Sequence, residues 1–334
     1  MRLLTLVLTV FLTCSLAGSH QENPQKKNCV TADELKGWVS YLASDEMHGR
    51  RNGSPEMKVA ASWIAGKFKE FGVRSIGENN NYFQEYSFTS RQRTVAERNV
   101  IGMIEGSDPV LRNQYIVVSA HFDHIGIRKG NPQDTICNGA DDNASGTCTL
   151  IGIAKYMMQQ AEKPKRSILF AAFSGEESGI RGSRNFVSVA PVPLKNIIAD
   201  INFEMIGHSD YIGKKKYYMT GCLNSNLDNL IGGYNRNGDI RLIDTIAIAE
   251  QLFYASDNIA FSRISTTGGN TTGIPSGTFA TSTPGLYLHS VNDEIDLFDF
   301  ENMADLVNYF GGMVLWLSNN GSEIKWTDPK YSRP

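Results

Sequence analysis

Positive charge is in short supply: 32 Lys and Arg stand against 35 Asp and Glu, for a formal net charge of -3. With no basic field to gather phosphates, neither nucleic acid nor an anionic membrane surface is an expected partner. Hydrophobic runs are short as well. The apolar stretch from Leu3 to Leu12 cannot span a bilayer. Internal repeats and long linkers are absent. The five cysteines include no C-x-x-C pair, which argues against a thiolate metal site.

What is present begins with an export signal. Met1-Arg2 precedes the apolar run, and Ser15, Ala17 and Ser19 supply the small-x-small pattern of a signal-peptide cleavage site. Residues 1–19 are therefore set apart, and 20–334 are read as one domain of an exported protein, periplasmic or extracellular. A competing reading lipidates Cys14 and gives the chain a membrane tie, but Thr13 and Phe11 make a poor lipobox. After cleavage at either small-residue site, Cys29, Cys137, Cys148 and Cys222 remain, and the sequence leaves their three possible pairings open. With 334 residues, 41% of them hydrophobic, the chain can bury a large core.

Helical periodicity marks two early helices. Thr31-Ala32-Asp33-Glu34 reads as a capped start, with Leu35, Trp38, Val39 and Leu42 on one face. Met57 to Phe71 repeats the pattern and stops at Gly72. From about residue 98 the chain alternates short apolar runs with helical stretches. The runs 99–104, 115–120, 167–173 and 196–205 lack polar alternation, as strands buried on both faces do. The pattern predicts an α/β fold, a three-layer α/β/α sandwich around a largely parallel mixed sheet. Residues 265–285, rich in Thr, Ser and Gly, read as a loop region, and the tail after Leu317 as peripheral.

Three of these strands end in residues suited to metal chemistry. The run 115–120 leads into His121-Phe122-Asp123, the run 167–173 into Ser174-Gly175-Glu176-Glu177, and the run from 196 towards Glu204. Ligands of open α/β sheets collect at that edge. Between the first two lies Asn138-Gly139-Ala140-Asp141-Asp142-Asn143-Ala144-Ser145-Gly146, an acidic turn opening a helix. So many carboxylates in one cleft imply divalent cations to neutralise them. Imidazole and carboxylate without thiolate suit zinc, and His289 follows a further apolar run. Singly, each element reads as ordinary capping or turn chemistry; their joint placement favours the metal reading.

In order, AHFDHIG, GADDNASG, FSGEESGIRGS, NFEMIG and YLHSVNDEID closely resemble the zinc metallopeptidase family of bacterial di-zinc aminopeptidases, glutamate carboxypeptidase II and glutaminyl cyclase. The resemblance covers nearly the whole mature chain, including the segment Asp45 to Arg50. It implies two zinc ions per chain, one on His121 and Glu204, the other on Glu177 and His289, with Asp142 bridging through a cis peptide to Asn143. It further implies Glu176 as general base and Asp123 as the carboxylate that orients His121. Glu204 departs from the Asp usual in the family. Asp257 resembles a family motif without an assigned role, and His48, His124 and His208 read as structural, supporting or surface groups. The activity implied is removal of single residues from peptides with a free N-terminus. A single-zinc glutaminyl cyclase is the nearest alternative, against which the full acidic turn argues. The chain lacks room for the inserted domains of the carboxypeptidase branch, and a non-catalytic module would be expected to have lost ligands or base.

Overall fold

The computed structural model describes residues 29–128, 134–234, 238–243, 249–264, 273–285, 287–321 and 324–328. The segment read as an export signal, with Cys14, lies outside them. The strands are β1 (Arg74–Ser75), β2 (Phe83–Ser90), β3 (Arg93–Ile104), β4 (Tyr115–His121), β5 (Gly126–Ile127), β6 (Ile136–Cys137), β7 (Ser167–Phe173), β8 (Ile197–Phe203), β9 (Lys216–Met219), β10 (Arg241–Leu242) and β11 (Ser276–Ala280). The α-helices are α1 (Ala32–Leu42), α2 (Pro55–Phe71), α3 (Gly146–Gln159), α4 (Arg181–Ser188), α5 (Leu227–Tyr234), α6 (Ala249–Leu252), α7 (Asn258–Ser262) and α8 (Phe300–Asn320). None of the described helices is long and apolar enough to cross a membrane.

The two early helices follow their signals. Thr31 accepts from the Glu34 amide and Glu34 reaches back to Thr31, the reciprocal cap that satisfies two orphan donors. α2 ends where Gly72 turns left-handed at φ 82°.

Nine strands form one mixed sheet in the order β1-β3-β7-β4-β8-β11-β9-β10, with β2 paired to β3. Its centre, β7-β4-β8-β11, is parallel. Alternate residues of β4 explain the apolar run: Ile116 and Val118 face α1, α2, α3 and α8, while Val117 faces α4 and α7 through Phe186 and Phe261. Helices thus cover both faces of the parallel centre, as in a three-layer sandwich.

Three expectations about the periphery need correction. The run 99–104 belongs to an antiparallel hairpin, β2–β3, closed by Arg91 and Gln92 at φ 46° and 64°. A two-residue turn with both φ positive matches the twist of paired strands, and Asn-Gly is its usual signal. Arg-Gln carries no such signal, so the hairpin is hidden. Within 265–285, residues 276–280 form β11, buried between β8 and β9. Its composition, Ser-Gly-Thr-Phe-Ala, looks like a loop; burial of Ser276 and Thr278 is offset by hydrogen bonds to Asn258. The tail is not wholly peripheral either, since Trp326 packs with Phe253 and Ile259.

Candidate metal centre

The strand ends deliver the site. β4 ends at His121, β7 runs into Gly175 (φ 77°), Glu176 and Glu177, and β8 into Glu204. The acidic turn 140–145 is wound irregularly, with the Asp142–Asn143 peptide cis. Its anchoring is extensive. The Asp293 carboxylate accepts from the amides of Asp141 (2.7 Å) and Asp142 (3.0 Å), and Asn143 bridges Gly146 N and Phe203 O. Gly146 is required there, because a Cβ would stand 2.2 Å from Asn143 Oδ1 and 2.3 Å from Phe203 O.

Of the two aspartates in the turn, only Asp142 enters the cleft. Asp141 was expected to add a second carboxylate; instead it accepts from Gly207 N (2.8 Å) and Ser282 Oγ (2.5 Å), tying the turn to two loops.

Asp142 divides its oxygens. Oδ1 lies 3.4 Å from His121 Nε2, which is 3.3 Å from Glu204 Oε1. Oδ2 lies 3.4 Å from His289 Nε2 and 3.5 Å from His124 Nδ1; these rings approach Glu177 at 2.9 and 3.1 Å. Donors held about 2.0–2.2 Å from a tetrahedral zinc are roughly 3.3–3.6 Å apart, so most of these spacings suit ligands around an ion. Two groups, His121–Asp142–Glu204 and His124–Asp142–Glu177, each bring their ligand atoms within 4.8 Å of one another.

The charges ask for cations. Burial opposes a charged His121 ring, yet Asp142 and Glu204 push its pKa well up. Asp142 and Glu177 draw His289 up to about 10. Against burial, His121 and His289 hold Asp142 well below the usual carboxylate range, and His124 and His289 lower Glu177. Burial raises Glu176 well above its ordinary value, with the charges of Glu204 and Asp257 adding to it. The donor set, hard oxygens with imidazole and no thiolate, fits zinc.

All five expected ligands and Glu176 therefore meet in one cleft. Asp123 does so differently from expectation. Its carboxylate lies 3.8 Å from His121 Nδ1, too far for a hydrogen bond; the ring meets the Asp123 main-chain carbonyl at 3.2 Å. A carbonyl only accepts, so Nδ1 is the donor in this contact and Nε2 is the nitrogen turned towards the site. The carboxylate instead accepts from Glu176 N (3.1 Å), Glu177 N (3.2 Å) and Asn52 Nδ2 (2.6 Å), positioning the Glu-Glu pair.

Three histidines read as structural, supporting or surface groups separate here. His48 is exposed and pairs with Glu56, and His208 packs edge-on against Phe298. His124 is buried, with Nδ1 3.5 Å from Asp142 Oδ2 and 3.1 Å from Glu177 Oε1, beside the second donor group. Asp257 accepts from Ser183 Oγ, and burial lifts its pKa to about 7. Sequence reasoning missed Arg50. Fully buried, it donates to the carbonyls of Leu42, Phe122, Asn138 and Gly139, lacing the His121–His124 turn to the start of the acidic turn. Cys29, Cys137 and Cys148 are free thiols.

Above the donors opens a cavity of about 390 Å³. Glu176, Glu177, Glu204, Asp142 and His289 form its polar floor, and Ile180, Met205, Leu252, Ala255, Ala280 and Leu288 line its apolar wall.

A metallopeptidase fold with this constellation is matched by the comparisons. The model of peptidase family M28 matches residues 99–311, and the chain belongs to that family. A probable zinc metalloprotease of Pyrenophora teres is 32% identical over 193 residues, 54% of this chain and 40% of that protein. The chain thus spans well under half the length of that relative. A probable leucine aminopeptidase 1 of Trichophyton verrucosum is 24% identical over 305 residues, covering 86% of this chain and 77% of the other. Among solved structures, a zinc aminopeptidase from Bacillus subtilis superposes with a TM-score of 0.63 at 15% identity, covering 85% of this chain and 94% of its own. Porphyromonas gingivalis glutaminyl cyclase does so with 0.61 at 18% identity, covering 88% and 99%. Likeness at such identities shows the shared fold and does not separate the two activities.

Proposed function

We propose that this chain is an exported di-zinc aminopeptidase that removes single residues from peptides with a free N-terminus. The observation that carries this reading is the division of Asp142 between two donor groups on the floor of an apolar cavity. His121 and Glu204 would hold one zinc with Asp142, and Glu177 and His289 the other. Zinc supplies Lewis acidity there and lowers the pKa of water from 15.7 towards about 7.

The chain's own groups do the rest. Glu176 faces the cavity, and the burial that raises its carboxyl pKa suits it to take a proton from the attacking water and return it to the departing amine. The preference for a free amino group is inferred from the leucine aminopeptidase relatives. The apolar wall favours an apolar first side chain, and the leucine aminopeptidase relatives agree with that preference. A cyclase working on one zinc would need only one of the two donor groups.

The test is a panel of unblocked and N-acetylated aminoacyl chromogenic substrates with a glutaminyl peptide, on purified protein supplied with zinc. Release from the unblocked substrates alone supports the proposal. Cyclisation without release would make the chain a glutaminyl cyclase, and inertness with zinc bound would leave a non-catalytic module. Export is tested separately, by N-terminal sequencing of the protein from the medium or periplasm; an intact Leu3–Leu12 segment on a cytoplasmic product would refute it.

A further inference from the structure

His124 has no duty in the two-zinc scheme, yet its ring is 1% exposed and faces the second donor group. Neither of its ring nitrogens, nor Glu177 Oε1, has a hydrogen-bond partner. The two orphans confront each other: Nδ1 and Oε1 are 3.1 Å apart but out of line for a hydrogen bond. A packed imidazole ordinarily satisfies at least one nitrogen, because leaving a buried polar group unmade costs about 1–3 kcal/mol. A cation between them would engage both atoms.

The opposite side is already built for one. His289 Nε2 approaches the same two carboxylates, 3.4 Å from Asp142 Oδ2 and 2.9 Å from Glu177 Oε2. The two rings stand 5.6 Å apart at 65°, edge to face across the gap. The backbone fixes the first ring in place, since His124 N donates to Arg50 O at 3.1 Å and Arg50 itself holds Phe122 O and Gly139 O.

We propose that His124, through Nδ1, is the fourth protein ligand of the second zinc, beside Asp142, Glu177 and His289. The proposal rests on the two-zinc reading above. His121, Asp142 and Glu204 would supply three protein ligands to one ion and His124, Asp142, Glu177 and His289 four to the other, so the second ion is expected to be the more tightly held.

Two measurements on the purified full chain test this. Competition with a chromophoric chelator should resolve two zinc affinities in the wild type, and His124→Ala should weaken the tighter at least tenfold while moving the weaker by less than twofold. Unchanged affinities in both positions would overturn the proposal. The second measurement needs no variant: with an NMR-active cadmium isotope in place of zinc, proton–metal correlation should couple one metal resonance to two imidazoles and the other to one. One imidazole on each would overturn the role of His124 and leave the two-metal reading standing. Failure of the wild type to bind metal would overturn both.

Discussion

Replacing Arg50 by Met tests whether the metal-bearing turns are preorganised by one buried guanidinium. Methionine keeps much of the apolar stem but leaves the carbonyls of Leu42, Phe122, Asn138 and Gly139 without their donor. At about 1–2 kcal/mol for each buried acceptor, the loss totals roughly 4–8 kcal/mol. Something is returned. Burial pulls the Arg50 pKa from 12.5 down to about 10 even with Asp293, Asp123 and Asp142 nearby, so removing the charge relieves about 3 kcal/mol. The net expectation is a loss of about 3 kcal/mol. Urea unfolding in the presence of a chelator isolates this effect from zinc, and with a slope near 3 kcal/mol/M the midpoint should fall by about 1 M. Zinc affinity, measured separately, should fall roughly 10–100-fold, as when other groups that position ligands are removed. A midpoint within about 0.2 M of wild type, with zinc affinity unchanged, would refute the reasoning.

Glu176→Gln should retain zinc and lose roughly 10²–10⁴ in kcat, the usual worth of a general base; near-normal turnover would remove the assignment. Glu97 is buried and its pKa is raised to about 7, by burial first. A carboxyl raised in the folded state contributes stability that is complete below its unfolded pKa, near 4.5, and is lost as pH rises towards 7. Glu97→Gln keeps an acceptor for Gly53 N and should therefore gain on the wild type between pH 5 and 8, by up to about 3 kcal/mol in urea unfolding; a constant difference would refute this. Ala255→Phe narrows the apolar wall of the cavity, and kcat/KM for leucyl relative to alanyl substrates should drop roughly tenfold. An unchanged ratio would place the first side chain elsewhere.

The legible parts of the fold share a physical cause. Strands β4, β7 and β8 are covered on both faces, so their apolar runs stand out, and the residues that follow them fall at the same sheet edge. Capped helices such as α1 announce themselves through local chemistry. Strand β11 and the β2–β3 turn are invisible for the opposite reason: one satisfies small polar residues through tertiary hydrogen bonds, and the other uses residues with no turn preference. In the site, Asp142, Glu177 and His289 were found by motif, but the division of labour between neighbours was not. Asp141 and Asp142 look alike in sequence, and only the positions of Gly207 and Ser282 turn one of them outward. The place of His124 beside Asp142 and Glu177 is hidden in the sequence, because a histidine's neighbours in the chain do not show what faces its ring.

The loop after β11 carries both His289, which completes the second donor group, and Asp293, which holds the amides of the acidic turn. The centre is thus closed by a segment far downstream of the strands that present His121 and Glu204. A chain ending before residue 289 would keep the strands that present His121 and Glu204 but lack both His289 and the carboxylate that holds the acidic turn.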